Sequence, residues 1–270
     1  MPAPRFPARR PPCVLSIAGS DSGGGAGIQA DLKAFAACGV HGMTAITAIT
    51  AQNTVAVTAV HAIAPAMIIA QVSAVAQDIG IDAVKIGMLG TAATIGAVAE
   101  ALALLEPATP IVIDPVMVAE SGASLLDDDA REALITQLFP RATAVTPNLP
   151  EARALAGLET DDAEALASAI HALGPRIVIV TGGHREPAAD LYFDGRQIVS
   201  IPGPRHPDGA AHGSGCTHSS VLAARLAHGD APLDAARTAR SMAAEAVRHG
   251  LRSVGAGAGP VDVLRVTGGA

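Results

Sequence analysis

The chain has 270 residues, 50% of them hydrophobic, and a formal net charge of −7 with a pI near 5.7. This length allows one large core, and the absence of a basic stripe argues against a nucleic-acid-binding protein. Three scattered cysteines exclude a disulfide framework and favour a reducing cytoplasm. No apolar run reaches the roughly 18 residues that a membrane span needs.

Residues 1–12 are predicted to be a disordered tail, because five prolines alternate there with three arginines. No apolar segment with a cleavage site follows those arginines, so a signal peptide is not expected. Residues 13–270 contain no Pro/Ser-rich linker and no charge block. They are therefore predicted to form a single domain.

Short β-branched strands alternate with longer helical segments along this domain. Strands are predicted at 13–18, 43–50, 83–86, 111–114, 143–146 and 177–181, with a hairpin of 191–194 and 197–201. Helices are predicted near 28–37, 65–78, 92–105, 151–156, 162–173, 219–227 and 233–248. Apolar strands that alternate with helices are typical of a parallel sheet covered on both faces, and ligands of such folds gather beyond the carboxyl ends of the strands.

A glycine-rich segment, residues 19–27, follows the first strand. Its end matches G-x-G-x-x-A, but no Asp or Glu between Asp31 and Asp78 could hold a ribose, which excludes a Rossmann site. Gly25 stands where a Walker A loop needs lysine, which excludes a P-loop. The segment is either a loop that lets backbone approach a ligand or a plain turn with Asp31 solvated in the next helix.

Polar or glycine-containing turns also end the other predicted strands: Gln52-Asn53, residues 85–90, residues 114–117 and residues 181–184. Each turn is weak alone, but together they converge on one sheet edge. Asn148 and Glu151 have the spacing of a capping box at a helix start. Alternatively, Asn148 faces a phosphate and Glu151 binds Mg²⁺ through water. Both interpretations stay open.

The most informative segment is His212-Gly213-Ser214-Gly215-Cys216-Thr217, directly before the helix predicted from residue 219. Free backbone N–H groups and the helix dipole make such a turn suitable for an anion, and a thiolate at Cys216 would be favoured there. The alternative is a tight turn in which Cys216 is a buried apolar residue. His212, Cys216 and His218 could bind a metal, but no fourth ligand cluster is evident.

Taken in order, these motifs resemble those of the hydroxymethylpyrimidine/phosphomethylpyrimidine kinases of thiamine biosynthesis. The matching segments are residues 18–33, 47–53, 85–89, 146–151, 212–217 and 257–261. The resemblance extends over roughly residues 13–261. It implies the ribokinase-like fold, an α/β fold in which a three-layer α/β/α sandwich surrounds a largely parallel central sheet.

The resemblance also implies a cytoplasmic homodimer that uses ATP and Mg²⁺ to phosphorylate a small pyrimidine, 4-amino-5-hydroxymethyl-2-methylpyrimidine, and then its monophosphate. The substrate-binding residues would be Gln52 on the aminopyrimidine, Met88 and Val116 against its ring, and Gly19 and Asp31 in the pocket wall. ATP would bind at Asn148, Thr181 and Gly183, and Mg²⁺ would bind at Glu151. The anion hole would be the backbone of Gly213, Ser214, Gly215 and Cys216. The Cys216 thiolate would be the base.

Three departures from the family pattern stand out. Cys216 occupies the place of an aspartate base in related sugar kinases, Glu120-Ser121-Gly122 replaces Lys-Ser-Gly, and residues 206–211 replace a stretch often bearing Thr and Asn. A pyridoxal kinase on the same fold is the alternative activity, although Gln52 and Met88 favour the pyrimidine. A non-catalytic ligand-binding domain is the alternative from another class of protein.

Overall fold

A computed structural model describes residues 10–118, 122, 125–182, 188–207 and 210–266. Within these residues one sheet has the strand order β3-β2-β1-β4-β5-β6-β7-β8-β9. The strands are β1 (Cys13–Asp21), β2 (His41–Gln52), β3 (Val57–Ala62), β4 (Ala83–Ile86), β5 (Ile111–Ile113), β6 (Ala144–Val145), β7 (Val178–Val180), β8 (Ala189–Phe193) and β9 (Ile198–Pro202). Neighbouring strands from β2 to β7 are parallel, whereas β3, β8 and β9 pair antiparallel.

Helices cover both faces of the sheet. They are α1 (Gly27–Ala37), α2 (Pro65–Asp78), α3 (Ala92–Leu102), α4 (Asp128–Ala133), α5 (Leu149–Ala156), α6 (Ala163–His171), α7 (Ser214–Ala227) and α8 (Pro232–Arg248). Alternate residues of β1 point to opposite faces: Leu15 and Ile17 pack in a core with α2 to α6, and Val14 packs in a core with α1, α7 and α8. The predicted three-layer α/β/α class is confirmed.

The strand Ala83–Ile86 and the helix Pro65–Asp78 have the predicted bounds, and β8 and β9 form the predicted hairpin. The sequence did not predict β3, because this edge strand is exposed along most of its length and lacks the alternating pattern of a half-buried strand. It also did not predict α4, which continues into a π-helical turn, Leu134–Leu138.

The predicted start of α7 at residue 219 is wrong. The helix begins at Ser214, with Gly213 as its N-cap, so the glycine-rich motif forms the first helical turn itself. Glycine and hydroxyl residues have low helix propensity, but buried contacts of the side chains that follow override it here.

Residues 1–9 of the predicted tail lie outside the described residues. Arg10 forms a 2.8 Å ion pair with Asp82, and the Pro12 carbonyl accepts a hydrogen bond from the His41 N–H. Residues 10–12 are thus joined to the fold. Within the described ranges, no helix combines the length and the apolar character needed to cross a bilayer.

Candidate active site

A cavity of about 410 Å³ lies where the parallel strands end and α7 begins. It brings together most of the predicted site residues, namely Gly19, Gln52, Met88, Val116, Asn148, Glu151, Thr181, Gly213, Ser214, Gly215 and Cys216. Gly183 and the Glu120-Ser121 pair lie outside the described residues. The predicted convergence of strand ends therefore corresponds to one cavity.

Asp31 is the exception, because its fully buried carboxylate lies behind the cavity wall rather than in it. It accepts hydrogen bonds from Ser16 Oγ (2.5 Å), Ser220 Oγ (2.8 Å) and Lys85 Nζ (2.9 Å). The expectation that Asp31 lines the pocket, like the alternative that it is solvated, is wrong. Its role is to hold a buried lysine.

The first turn of α7 presents free backbone donors to the cavity. Among the described residues, the N–H groups of Gly213, Gly215 and Cys216 have no backbone acceptor, whereas that of Ser214 bonds to Ala211. Gly213 has φ +83°, and a Cβ there would overlap the carbonyl oxygen of Gly25. Glycine is thus required on both steric and conformational grounds. The arrangement suits an anion, as the sequence indicated.

A buried pair, Asp21 and His212, connects this turn to the glycine-rich segment after β1. The Asp21 carboxylate accepts hydrogen bonds from the N–H groups of Gly23, Gly25 and Ala26 and lies 3.2 Å from His212 Nε2. Burial alone would raise the pKa of Asp21, but the contact with His212 and the backbone donors lower it overall. His212 is held in turn by backbone hydrogen bonds with Gly259 and Val261.

Consecutive buried residues of α7 bind carboxylates that come from different parts of the fold. His218 contacts Asp190 at 3.0 Å, Ser219 contacts Asp114 at 3.0 Å, and Ser220 contacts Asp31 at 2.8 Å. Buried polar groups of this kind need such partners. The three contacts fix the rotation and depth of the helix, and so the position of its N-terminal donors. His212 and His218 turn to different carboxylates, which does not support a shared metal site.

The Asp190 contact belongs to a second polar group, at the end of the cavity beside β7 and β8. Asp190 also accepts the Gly182 N–H at 2.9 Å and lies 3.7 Å from Arg240 Nε. Burial would raise the pKa of Asp190, but the hydrogen bond from His218 contributes to lowering it overall. Within the described residues His218 Nδ1 and Arg240 Nε have no hydrogen-bond partner, although both side chains are buried and line the cavity.

The Cys216 thiol does not have the low pKa expected at a helix start. Burial raises its pKa to about 12, and the charges of Asp114 and Asp31 add to this effect. Lys85 and the Gly27 N–H act in the opposite direction but do not compensate. The thiol is therefore protonated at neutral pH, because loss of hydration outweighs the favourable charges.

Asn148 and Glu151 form the predicted capping box, with reciprocal hydrogen bonds of 2.9 Å. Burial and the nearby Asp114 raise the pKa of Glu151 to about 8. No group of three or more His, Cys, Asp or Glu side chains in the described part of the chain is arranged to hold a metal ion. Two mutually repelling carboxylates nonetheless fit Mg²⁺, which keeps several waters and needs only one or two protein carboxylates beside substrate phosphates.

Several cavity residues had no assigned role in the sequence analysis, namely Asp21, Lys85, Asp114, Asp190 and Arg240, and His212 and His218 were considered only as metal ligands. One signal was available, since a lysine in the otherwise apolar strand Ala83–Ile86 indicates a buried partner. The others depend on contacts between distant parts of the chain, such as the 191 positions between Asp21 and His212.

Comparison with known proteins agrees with this site. The profile of the family described as phosphomethylpyrimidine kinase matches residues 21–262. The chain is 44% identical over 264 residues to the hydroxymethylpyrimidine/phosphomethylpyrimidine kinase of Mycobacterium tuberculosis, covering 96% of each chain. The chain belongs to the phosphomethylpyrimidine kinase family. This membership makes it a phosphotransferase and confirms the resemblance found in the sequence.

Solved structures give the same fold. A pyridoxal kinase from Staphylococcus aureus in complex with ADP superimposes with a TM-score of 0.86 at 35% identity, over 94% of each chain. A phosphomethylpyrimidine kinase from Clostridium difficile superimposes with a TM-score of 0.75 at 40% identity, over 85% of this chain and 96% of the other. The fold of this phosphomethylpyrimidine kinase family member is therefore ribokinase-like, as the sequence predicted.

Proposed function

We propose that the chain transfers the γ-phosphoryl group of ATP to 4-amino-5-hydroxymethyl-2-methylpyrimidine, and then to the resulting monophosphate, for thiamine biosynthesis. One observation carries this proposal: Gln52, Met88 and Val116 line the same cavity as the free N–H groups of α7. A pyrimidine held by the first group would face a phosphoryl group held by the second.

The acceptor would bind at the Gln52 end of the cavity. Gln52 Oε1 accepts a hydrogen bond from Thr50 Oγ1 at 3.2 Å, and its Nε2 has no acceptor in the described part of the chain. An amide has two N–H donors and a second lone pair, which match a ring nitrogen beside an exocyclic amine. Met88 and Val116 would supply apolar contacts to the two faces of the ring.

The nucleotide would bind between Asn148, Thr181, Gly183 and the start of α7. The N–H groups of Gly213, Gly215 and Cys216 would stabilise the charge on the transferring group, which is the main requirement of phosphoryl transfer. Glu151, with Asp114 nearby, would hold Mg²⁺, which neutralises phosphate charge when bound. The capping hydrogen bonds of Glu151 would keep its carboxylate directed toward that ion.

Cys216 remains the proposed base for the first transfer only, and its pKa gives a test. Below a pKa of about 12 the thiolate fraction rises with pH, so kcat/KM for the alcohol should increase about tenfold per unit between about pH 7 and pH 9. The monophosphate acceptor is already anionic above its second pKa near 6, so its transfer should lack the increase that depends on Cys216. Cys216→Ala should abolish the slope and reduce alcohol transfer more than monophosphate transfer. Equal losses in both transfers would instead assign Cys216 a structural role.

The deciding experiment measures ADP release with the pyrimidine alcohol, its monophosphate and pyridoxal as separate acceptors. We expect faster turnover of the pyrimidine alcohol than of pyridoxal. Faster turnover of pyridoxal would favour the alternative kinase activity, for which the Staphylococcus aureus pyridoxal kinase is the structural precedent. Ligand binding by calorimetry without ADP release from any acceptor would favour a non-catalytic domain.

We also propose that the protein is a homodimer that works in the cytoplasm. The edge strand β3 and its surroundings expose large apolar side chains, Ile49, Val60 and Met67. Exposed edges of this kind are usually covered, and a second copy would cover them symmetrically. The three cysteines are all free, as expected in a reducing compartment. Light scattering should give a dimer mass for the wild type and a monomer mass for Val60→Lys.

A further inference from the structure

We propose that Lys85 binds the phosphate oxygen that accepts the second phosphoryl group, and thereby supports the monophosphate step more than the alcohol step. The inference rests on the proposed function. Lys85 lies on β4 and its side chain is fully buried, yet it lines the cavity together with Cys216 and Asp114. No other part of the proposed mechanism uses this ammonium group.

Lys85 keeps hydrogen-bonding capacity for a ligand. Its Nζ lies 2.9 Å and 3.1 Å from the two oxygens of Asp31, and no other residue in the described part of the chain accepts from it. An ammonium group carries three N–H donors, whereas both of these acceptors belong to one carboxylate on one side. At least one donor therefore remains for the side that borders the cavity.

Of the two residues in the buried pair, only the positively charged one lines the cavity. Asp31 is behind the wall, where Ser16 and Ser220 satisfy its remaining lone pairs, whereas Lys85 forms part of the wall. Burial would lower the pKa of Lys85, but the charges of Asp31 and Asp114 and the hydrogen bond with Asp31 act against it, and the pKa is raised overall. Lys85 thus presents a permanent positive charge, fixed in position by its partner.

Glycine at position 87 gives this charge room beside the acceptor site. A Cβ on Gly87 would lie 2.8 Å from Lys85 Nζ and 3.0 Å from the Ala18 side chain. The next residue, Met88, is the proposed contact of the pyrimidine ring, and Lys85 is close enough to Cys216 to act against the rise in the pKa of its thiol. Lys85 thus lines the same cavity as the proposed ring site and the α7 donors.

The two proposed transfers differ in the charge of the acceptor. An alcohol is neutral and loses its proton, whereas a phosphate oxygen is already anionic near neutral pH. In the second transfer that oxygen forms a bond to the γ-phosphorus, the bond from the γ-phosphorus to the β–γ bridging oxygen breaks, and ADP leaves with the electron pair. Two anions must approach each other beside Asp114, so a cation at the acceptor oxygen is needed in this step.

The first test is the double variant Lys85→Met/Asp31→Asn, which removes both charges of the ion pair. Removing only one partner would leave the other charge buried without a counter-ion. We expect kcat/KM for the monophosphate to fall about 10- to 100-fold more than kcat/KM for the alcohol, the range for losing a hydrogen bond to a charged group. The melting temperature is measured in parallel. Equal losses for both acceptors in a folded variant overturn the inference.

If the double variant does not fold, a second variant tests the inference. Gly87→Ala keeps both charges but displaces the ammonium group, so it should also reduce monophosphate transfer more than alcohol transfer. Gly96→Ala is the matched control, since a Cβ there meets only Gln137 Oε1 at 3.8 Å. An equal effect of Gly87→Ala on both acceptors overturns the inference. A wild type that phosphorylates the alcohol but not the monophosphate contradicts the proposed function itself, which separates the two failures.

Discussion

A buried carboxylate bound to α7 lies near each end of the cavity, but the two carboxylates differ in whether they face the cavity. At the acceptor end, Asp31 is behind the wall and every one of its contacts comes from the protein. At the end beside β7 and β8, which we propose as the nucleotide end, Asp190 lines the cavity itself, beside His218 Nδ1 and Arg240 Nε, which have no hydrogen-bond partner in the described residues. One end presents a fixed charge, whereas the other leaves hydrogen-bonding atoms for a ligand.

This difference indicates how one helix can serve two substrates. His218 and Ser220 are two positions apart on α7 and bind different carboxylates, Asp190 and Asp31. A neutral pyrimidine needs a cavity wall that fits its shape and has few polar groups. A nucleotide, by contrast, offers many hydrogen-bond donors and acceptors. The shared element is the N-terminal turn between the two ends, so changes there should affect both substrates.

The largest expected effect is therefore that of Gly213→Ala, which would displace the shared turn. Loss of aligned backbone donors should lower kcat about 100- to 1,000-fold with either acceptor. Gly229→Ala is the control at the other end of α7, because its φ of +89° is equally unfavourable for alanine but no atom lies within 4 Å of the added Cβ. Equal activities of the two variants would contradict an anion-binding role for the turn.

Gln52→Leu should affect the acceptor end alone. Loss of its hydrogen bonds leaves the polar edge of the pyrimidine unpaired, which should raise the pyrimidine KM about 10- to 100-fold while the ATP KM stays constant. Gln71→Leu is the control, since among the described residues Gln71 bonds only to the backbone of Ile46, outside the cavity. A lower melting temperature with unchanged pyrimidine KM would remove Gln52 from the site.

His218→Phe should have the opposite selectivity. It removes the unpartnered Nδ1 from the nucleotide end, so we expect the ATP KM to rise about tenfold and the pyrimidine KM to stay the same. His228→Phe provides a comparison, because His228 lies at the far end of α7 and contacts the Cys38 carbonyl. An increase in both KM values would show that the two ends are not independent.

The smallest expected effect is a change in the melting temperature of the Glu151→Gln variant. The folded state raises the pKa of Glu151 from 4.5 to about 8, so its protonated form is favoured and wild-type stability is lost as pH rises across that interval. Glu151→Gln carries no such charge, and its melting temperature at about pH 8 should exceed that of the wild type by a few degrees. Added Mg²⁺ should narrow the gap. A gap that is the same at about pH 5 would exclude titration of Glu151 as its cause.

Local patterns predicted the parts of the site that depend on neighbours in sequence. The capping box at Asn148 and the anion-suited turn at Gly213 could be read from spacing and helix-end chemistry alone. The pairing of Lys85 with Asp31 spans 54 positions, and that of His218 with Asp190 spans 28, so neither follows from a local motif. The pKa of Cys216 depends on its burial and on distant charges, which explains why helix position alone gave the wrong direction.

The backbone hydrogen bonds that His212 makes with Gly259 and Val261 have a consequence for how the protein is made. A ribosome releases the β1 segment early and residues 259–261 late, yet these segments meet at the same histidine. A nascent chain halted before residue 259 would have both cavity walls but would lack the strap that holds His212 against Asp21. The contact between His212 and Asp21 can therefore gain this support only after residues 259–261 have been synthesised.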